Sequence, residues 1–203
     1  MMSSPSNMSL NLFIIGPSGC GKSTQAKLIA KKYHLTHLST GSLFRLEIKN
    51  KTNLGLKVQS YVNRGIWVPN HIVVDLICQK LSKINSTNFI VDGTPRRIRQ
   101  APLINKYLQS VGQSITALIY LDVSYTEIAK RRIKAGEKFQ TKRADTSLSA
   151  IKNRQIEHAK TIKPILSYFE KQQKLIKVDG NRPIQPIFND ICLKINNLTK
   201  KGK

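Results

Sequence analysis

Residues 16–23 read GPSGCGKS, a G-x-x-x-x-G-K-S pattern lying between the apolar run NLFII and the helix-like stretch AKLIAKKY. No other feature of the chain restricts its fold so sharply. In a strand–loop–helix setting the glycines let the loop wrap so that successive backbone N–H groups face one phosphate. The helix N-terminus adds favourable potential for the anion. Lys22 brings a point charge to the β- and γ-phosphates, and Ser23 is a candidate hydroxyl ligand for magnesium. The candidate phosphate-binding set is therefore Gly16, Ser18, Gly19, Cys20, Gly21, Lys22, Ser23 and Thr24. Cys20 reads as a small tolerated residue rather than a redox sensor. Such loops serve GTPase switches, motors, small-molecule kinases and nucleic-acid machines alike, so the remaining sequence must discriminate.

Four further segments have strand character: NFIVDG at 88–93, ALIYLDV at 117–123, LIKVDG at 175–180 and the weaker THLST at 36–40. Helical patterns fall between them, at 22–33, 42–50, 54–64, 70–83, 98–111, 124–134, 147–158, 161–172 and 184–198. Strands this apolar, alternating with helices, predict an α/β P-loop NTPase fold with a five-stranded parallel sheet covered on both faces. The marked chemistry falls at strand C-termini, where ligands bind in open sheets of this type. Asp92, ending one strand, is the candidate acidic residue for magnesium, held through water. Asp122 has a similar setting and reads as structural.

At 203 residues the chain fits one domain. No apolar stretch approaches the roughly 20 residues that span a bilayer. The start, MMSSPSNMSL, does not read as a secretory signal, and Met1 and Met8 are both candidate initiators. Cys20, Cys78 and Cys192 lack C-x-x-C spacing, which argues against structural zinc and disulfides and favours a reducing, cytoplasmic setting. Thirty-four basic against eleven acidic side chains give a formal net charge of +23. The basic residues lie along the whole chain, so three readings stand: compositional drift of the source genome, a field that draws in nucleotides, or contact with nucleic acid or an anionic membrane.

Several further motifs, in order, carry a resemblance. HLSTGSLFR at 37–45, GIWVPN at 65–70, DGTPRRIRQA at 92–101, an arginine at 131, Arg143 with Asp145, Arg154 and TIKPIL join the phosphate loop GPSGCGKSTQA. Together they resemble the adenylate kinases over nearly the whole chain. The resemblance implies ATP and AMP as substrates, two ADP as products, magnesium as cofactor, and a monomer. It implies a core of residues 9–38, 69–130 and 144–203, an acceptor-binding lobe at 39–68 and a short lid at 131–143. The segment KAGEKFQTK at 134–142 lacks Cys and His, so no zinc is expected there. On the ATP side the resemblance adds Arg131 and Arg182 to the loop. On the AMP side it implies Thr40, Gly41, Arg45, Val68, Gly93, Arg96, Gln100, Arg143 and Arg154. Lys22, Arg96, Arg131, Arg143 and Arg154 would be catalytic.

These assignments make physical sense without the family. Transfer between two nucleotides gathers negative charge, and converging arginines are worth about 10³–10⁵ in rate for phosphoryl transfer. Arg143 and Arg154 are eleven residues apart, close to three helical turns, and share a face if their helix starts early. A phosphate acceptor is already anionic, so no general base is required, and the four histidines read as bystanders. The choice of base rests on the resemblance, in which Thr40 and Gln100 imply adenine over uracil or cytosine; a Gln amide can pair with a purine edge through one donor and one acceptor.

Four departures from the family pattern stand out: Ser42 for Asp, Thr94 for Phe, Thr146 for Asp, and Ala135 for a second lid arginine. One lost charged hydrogen bond to phosphate costs about 1.5–3 kcal/mol, or roughly 10- to 150-fold in rate. Lys134, Lys138 and Lys142 are available to recover part of it. Two other readings remain open at this point: a kinase for UMP, CMP or GMP, and a nucleotide-binding protein of reduced transfer activity that works through partners. A binding-only protein would need Lys22 but would have no use for Arg96, Arg143 and Arg154 together.

Overall fold

The computed structural model describes residues 9–84, 87–136 and 147–201. The elements follow in the order β1 (Asn11–Ile15), α1 (Lys22–Tyr33), β2 (Thr36–Ser39), α2 (Thr40–Lys49), α3 (Asn53–Arg64), α4 (Asn70–Ile84) and β3 (Phe89–Asp92). Then come α5 (Gln100–Ser110), β4 (Ala117–Asp122), α6 (Tyr125–Gly136), α7 (Leu148–Lys171), β5 (Leu175–Asp179) and α8 (Ile184–Lys201). The five strands form one sheet in the order β2-β3-β1-β4-β5, every pairing parallel. The α/β fold with a five-stranded parallel sheet is thus as expected from the sequence.

The apolar runs explain why β1, β3 and β4 are central. Every residue of β1 and β3 is buried, and all of β4 but its last, as strands covered on both faces must be. Alternate side chains serve opposite faces. Leu12 and Ile14 pack with Ile90, Ile119 and Leu121 under Ile29 of α1 and Ile187 and Ile191 of α8. Phe13 and Ile15 pack with Phe89, Val91 and Leu118 under α4, α5 and α7. A third, smaller core joins Phe44 of α2 and Val58 of α3 to Val68, Val73 and Leu76.

One helix is longer than the sequence suggests. The predicted segments 147–158 and 161–172 form a single helix, α7, with Pro164 inside it. A proline there costs about 3 kcal/mol relative to alanine. Ile165 and Phe169, each 1% exposed, return about 1.5–3 kcal/mol apiece on burial, so packing outweighs the broken ladder. The same helix begins at Leu148, with the Ser147 hydroxyl accepting from the Ala150 N–H at 3.2 Å. The alignment of Arg143 with Arg154 concerns a residue outside those described. Arg143, Asp145, Thr146 and most of the expected lid lie outside the described residues.

Helix α3 ends against α7. Its cap, Gly65, has φ 70, and a Cβ there would sit 2.1 Å from the Ala150 carbonyl oxygen. The amide of Asn153 donates to the Arg64 carbonyl at 2.8 Å, and Arg154 donates to that of Val62 at 3.1 Å. The Arg64 carbonyl, at a helix end, thus finds its partner on α7, and the Val62 carbonyl, which also accepts from the Gly65 N–H at 3.2 Å, gains a second donor there.

Candidate active site

Strand β1 delivers the chain into the 16–21 loop, and α1 starts at Lys22. Gly21, with φ 95, caps the helix in a left-handed conformation that suits glycine. No side chain caps α1, and its first turn has no acidic residue. The Thr24 and Gln25 N–H groups donate to the Gly21 carbonyl at 3.0 and 3.1 Å, and no carboxylate in the first turn competes with an anion for the helix N-terminus. Lys22 Nζ donates to the Pro17 carbonyl at 3.3 Å, folded back over its own loop.

The Ser23 hydroxyl donates to Asp92 Oδ2 at 2.5 Å. The other oxygen, Asp92 Oδ1, is buried with no hydrogen-bond partner among the described residues, and the residue is 2% exposed. Two hard oxygen donors, one of them unsatisfied, next to a phosphate loop suit magnesium. Beside them His37 Nε2 lies 4.0 Å from Asp92 Oδ2. Burial lowers the His37 pKa, Asp92 opposes the shift and Lys27 reinforces it, so the ring is neutral at pH 7.

A cavity of about 440 Å³ opens beyond the loop. From the loop and α1 it is lined by Ser18, Gly19, Lys22 and Ser23, and from α2 by Thr40, Gly41 and Arg45. Val68, Asp92, Gly93, Arg96 and Gln100 line it from the segments around β3, and Arg154 from α7. Every residue expected on the AMP side among the described residues thus meets in one place, together with the reactive end of the phosphate loop.

Arg96 is the most constrained of them. Its Nε donates to the Gly93 carbonyl at 2.8 Å, and its backbone N–H donates to Gln100 Oε1 at 2.8 Å. Burial pushes its pKa down to about 10; Arg154 and Arg45 push the same way and Asp92 opposes. The guanidinium still carries its charge at neutral pH. Gln100 Nε2 donates in turn to Asn70 Oδ1 at 3.1 Å. The amide keeps one N–H and one lone pair for a ligand. The Thr40 and Thr94 hydroxyls share a 2.8 Å hydrogen bond, both residues being buried. Arg45 donates to the Ser42 hydroxyl at 3.0 Å, so two of the departures from the family pattern contact expected substrate residues.

The remaining expected residues lie beside the loop rather than in this cavity. Arg131 donates to Glu127 at 2.8 Å, to the Cys20 carbonyl at 3.0 Å and to the Gly180 carbonyl at 2.7 Å. It also donates to the Arg182 carbonyl at 3.2 Å, tying α6 to the phosphate loop and to the β5–α8 turn. Arg182 pairs with Asp190 at 2.6 Å. Gly16, Cys20 and Gly21 shape the loop, and Thr24 is exposed on α1. Ala135 falls in the last turn of α6.

Sequence reasoning passed over His37, Asn70 and Trp67. The last two stand inside GIWVPN, so their place near the site was open to view, but the contacts across the fold were not. His158 is also more than a bystander to the charge. It stacks on Tyr120, with centroids 6.2 Å apart, and burial, then Arg96 and Lys22, push its pKa down to about 4.

Comparison with known proteins agrees with this geometry. The family model described as Adenylate kinase matches residues 14–174. A protein named Adenylate kinase from Azobacteroides pseudotrichonymphae is 35% identical over 190 residues, covering 93% of this chain and 98% of its own. A protein of the same name from Bacteroides fragilis is 35% identical over 190 residues, with 93% and 100% covered. Another, from Clostridium tetani, is 31% identical over 208 residues, covering 90% of this chain and 96% of its own.

Proposed function

The chain belongs to the adenylate kinase family, and on that premise we propose that it is a phosphotransferase acting on ATP and AMP to give two ADP, reversibly and with magnesium. The observation that carries this reading is the single cavity in which the phosphate loop meets Arg45, Arg96, Arg154, Thr40 and Gln100. A GTPase switch or a motor has no need of a second, arginine-lined pocket facing its own loop.

The backbone N–H groups of the 16–21 loop and Lys22 hold the donor phosphates. Ser23, and Asp92 through water, would hold magnesium, which would supply charge neutralisation at the phosphates and polarise the transferring group. Arg96, with Arg45, grips the acceptor phosphate, while Gln100, Thr40 and the backbone at Val68 and Gly93 take the base. An acceptor phosphate oxygen attacks the γ-phosphorus, and the bond to the β,γ-bridging oxygen breaks, leaving its electron pair on ADP. No proton has to move first. Arg154, Lys22 and, as an assignment from the family pattern, Arg143 balance the charge that develops on the transferring group. Arg131 and Arg182 brace the ATP side of the loop.

As the family pattern implies, residues 39–68 serve as an acceptor lobe and 131–143 as a lid, and closure of both would exclude water. The three cysteines are free, in keeping with the cytoplasm.

A coupled assay with ATP, magnesium and AMP, UMP, CMP or GMP in parallel tests the reading. ADP production with AMP should exceed that with every other acceptor. Preference for another nucleotide would overturn the acceptor assignment, and no transfer to any would overturn the enzyme assignment.

A further inference from the structure

Trp67 is the only tryptophan in the chain. It stands two residues after the cap of α3, in the short segment leading to α4, and is 7% exposed. Its ring lies against Arg96, with the guanidinium carbon 4.2 Å from the ring centroid. Both side chains line the cavity. The indole Nε1–H is buried with no hydrogen-bond partner among the described residues, whereas a buried indole ordinarily finds one. A plain apolar side chain would fill this volume without stranding a donor, so filling space does not account for the residue.

The surroundings of Arg96 supply a reason. Arg45 and Arg154 both disfavour its charge, and among the described residues no carboxylate pairs with it within 4.0 Å. A carboxylate partner would hold the guanidinium still, but would take its N–H donors and cancel the charge an incoming phosphate needs. An aromatic face attracts the cation and takes no donor. With Nε on the Gly93 carbonyl and one face on the indole, the guanidinium is fixed along an edge and a face, and its terminal nitrogens remain to meet an anion.

We propose that Trp67 is a positioning residue for the acceptor: its ring holds Arg96 in the pose that receives the acceptor phosphate, without competing for that phosphate. The proposal rests on the reading of Arg96 given above and extends it to a side chain with no role in the family motifs considered so far. It gives the α3–α4 segment a direct hand in acceptor affinity.

A double-mutant cycle tests it, with AMP dissociation constants measured by calorimetry for the wild type, Trp67→Leu, Arg96→Ala and the double variant. Trp67→Leu should weaken AMP roughly tenfold while leaving ATP affinity unchanged. In the Arg96→Ala background the same change should cost less than about twofold. Trp67→Phe, with a smaller π face, should recover part of the loss and serves for the same cycle if the leucine variant does not fold. AMP should also shift the fluorescence of the single tryptophan in the wild type and not in Arg96→Ala. Equal losses with and without Arg96, or no loss at all, would overturn the proposal. Coupling in a protein that transfers no phosphoryl group would sink the kinase reading and leave this one standing; active enzyme with additive losses would do the reverse.

Discussion

Single side chains around the cleft carry a cost that shows itself with pH. His158 is neutral in the folded protein because burial, Arg96 and Lys22 all disfavour its cation. In the unfolded chain it takes a proton near pH 6.5; in the folded protein it does so only near pH 4. Its contribution to stability is therefore intact above pH 6.5 and lost as pH falls toward 4, up to about 3 kcal/mol in all. His37 is shifted the same way and adds to the slope. Urea unfolding at pH 7 and pH 4.5 should show the loss, and His158→Gln should flatten it. An equally steep fall in the variant would place the proton elsewhere. The residues themselves were legible to very different degrees. Lys22, Asp92, Arg96 and Gln100 stood in ordered motifs, so their meeting was expected. That His158 lies close enough to Arg96 and Lys22 to be discharged by them comes from sequence separations of 62 and 136 residues, which no local pattern expresses.

Among the elements, the contact of α3 with α7 has the clearest consequence. Gly65 is held at φ 70 with the Ala150 carbonyl where a Cβ would be. Gly65→Ala should push the helices apart and cost more than about 1 kcal/mol. It should also raise KM for AMP more than KM for ATP, because Arg154 reaches Val62 across the same contact. Thermal unfolding together with the two KM values checks this, and an unchanged Tm would show that the helices do not meet so closely. Elements were read best where burial was complete. The runs NLFII, FIVD and ALIYLD could only be strands of a sheet covered on both faces, and they are β1, β3 and β4. Helix α7 reads from the sequence as two, 147–158 and 161–172, with a lapse in the periodic pattern at Ala159 and Lys160. Its continuity depends on Ile165 and Phe169 finding the core, which is a non-local fact.

On the scale of the whole molecule, the net charge of +23 surrounds a cleft that already gathers Lys22, Arg45, Arg96 and Arg154. A field of that sign should speed the encounter with anionic nucleotides, and salt should screen it over a Debye length of about 10 Å at 0.1 M. The value of kcat/KM for AMP should fall at least about threefold between roughly 20 and 300 mM salt, with kcat changing less. A flat profile would mean that the charge has no part in substrate capture. The order of motifs, the apolar runs and the phosphate loop were enough to determine the fold class, the family and the chemical type of the site. They are properties of neighbouring residues, and hydrophobic burial and phosphate geometry act on them directly. The tertiary structure alone decided that Trp67 faces Arg96, that Thr94 pairs with Thr40, that Arg131 braces the loop, and that α7 runs unbroken through Ala159 and Lys160. Each is a contact between distant parts of the chain, and its energy exists only once the core has brought those parts within a few ångströms.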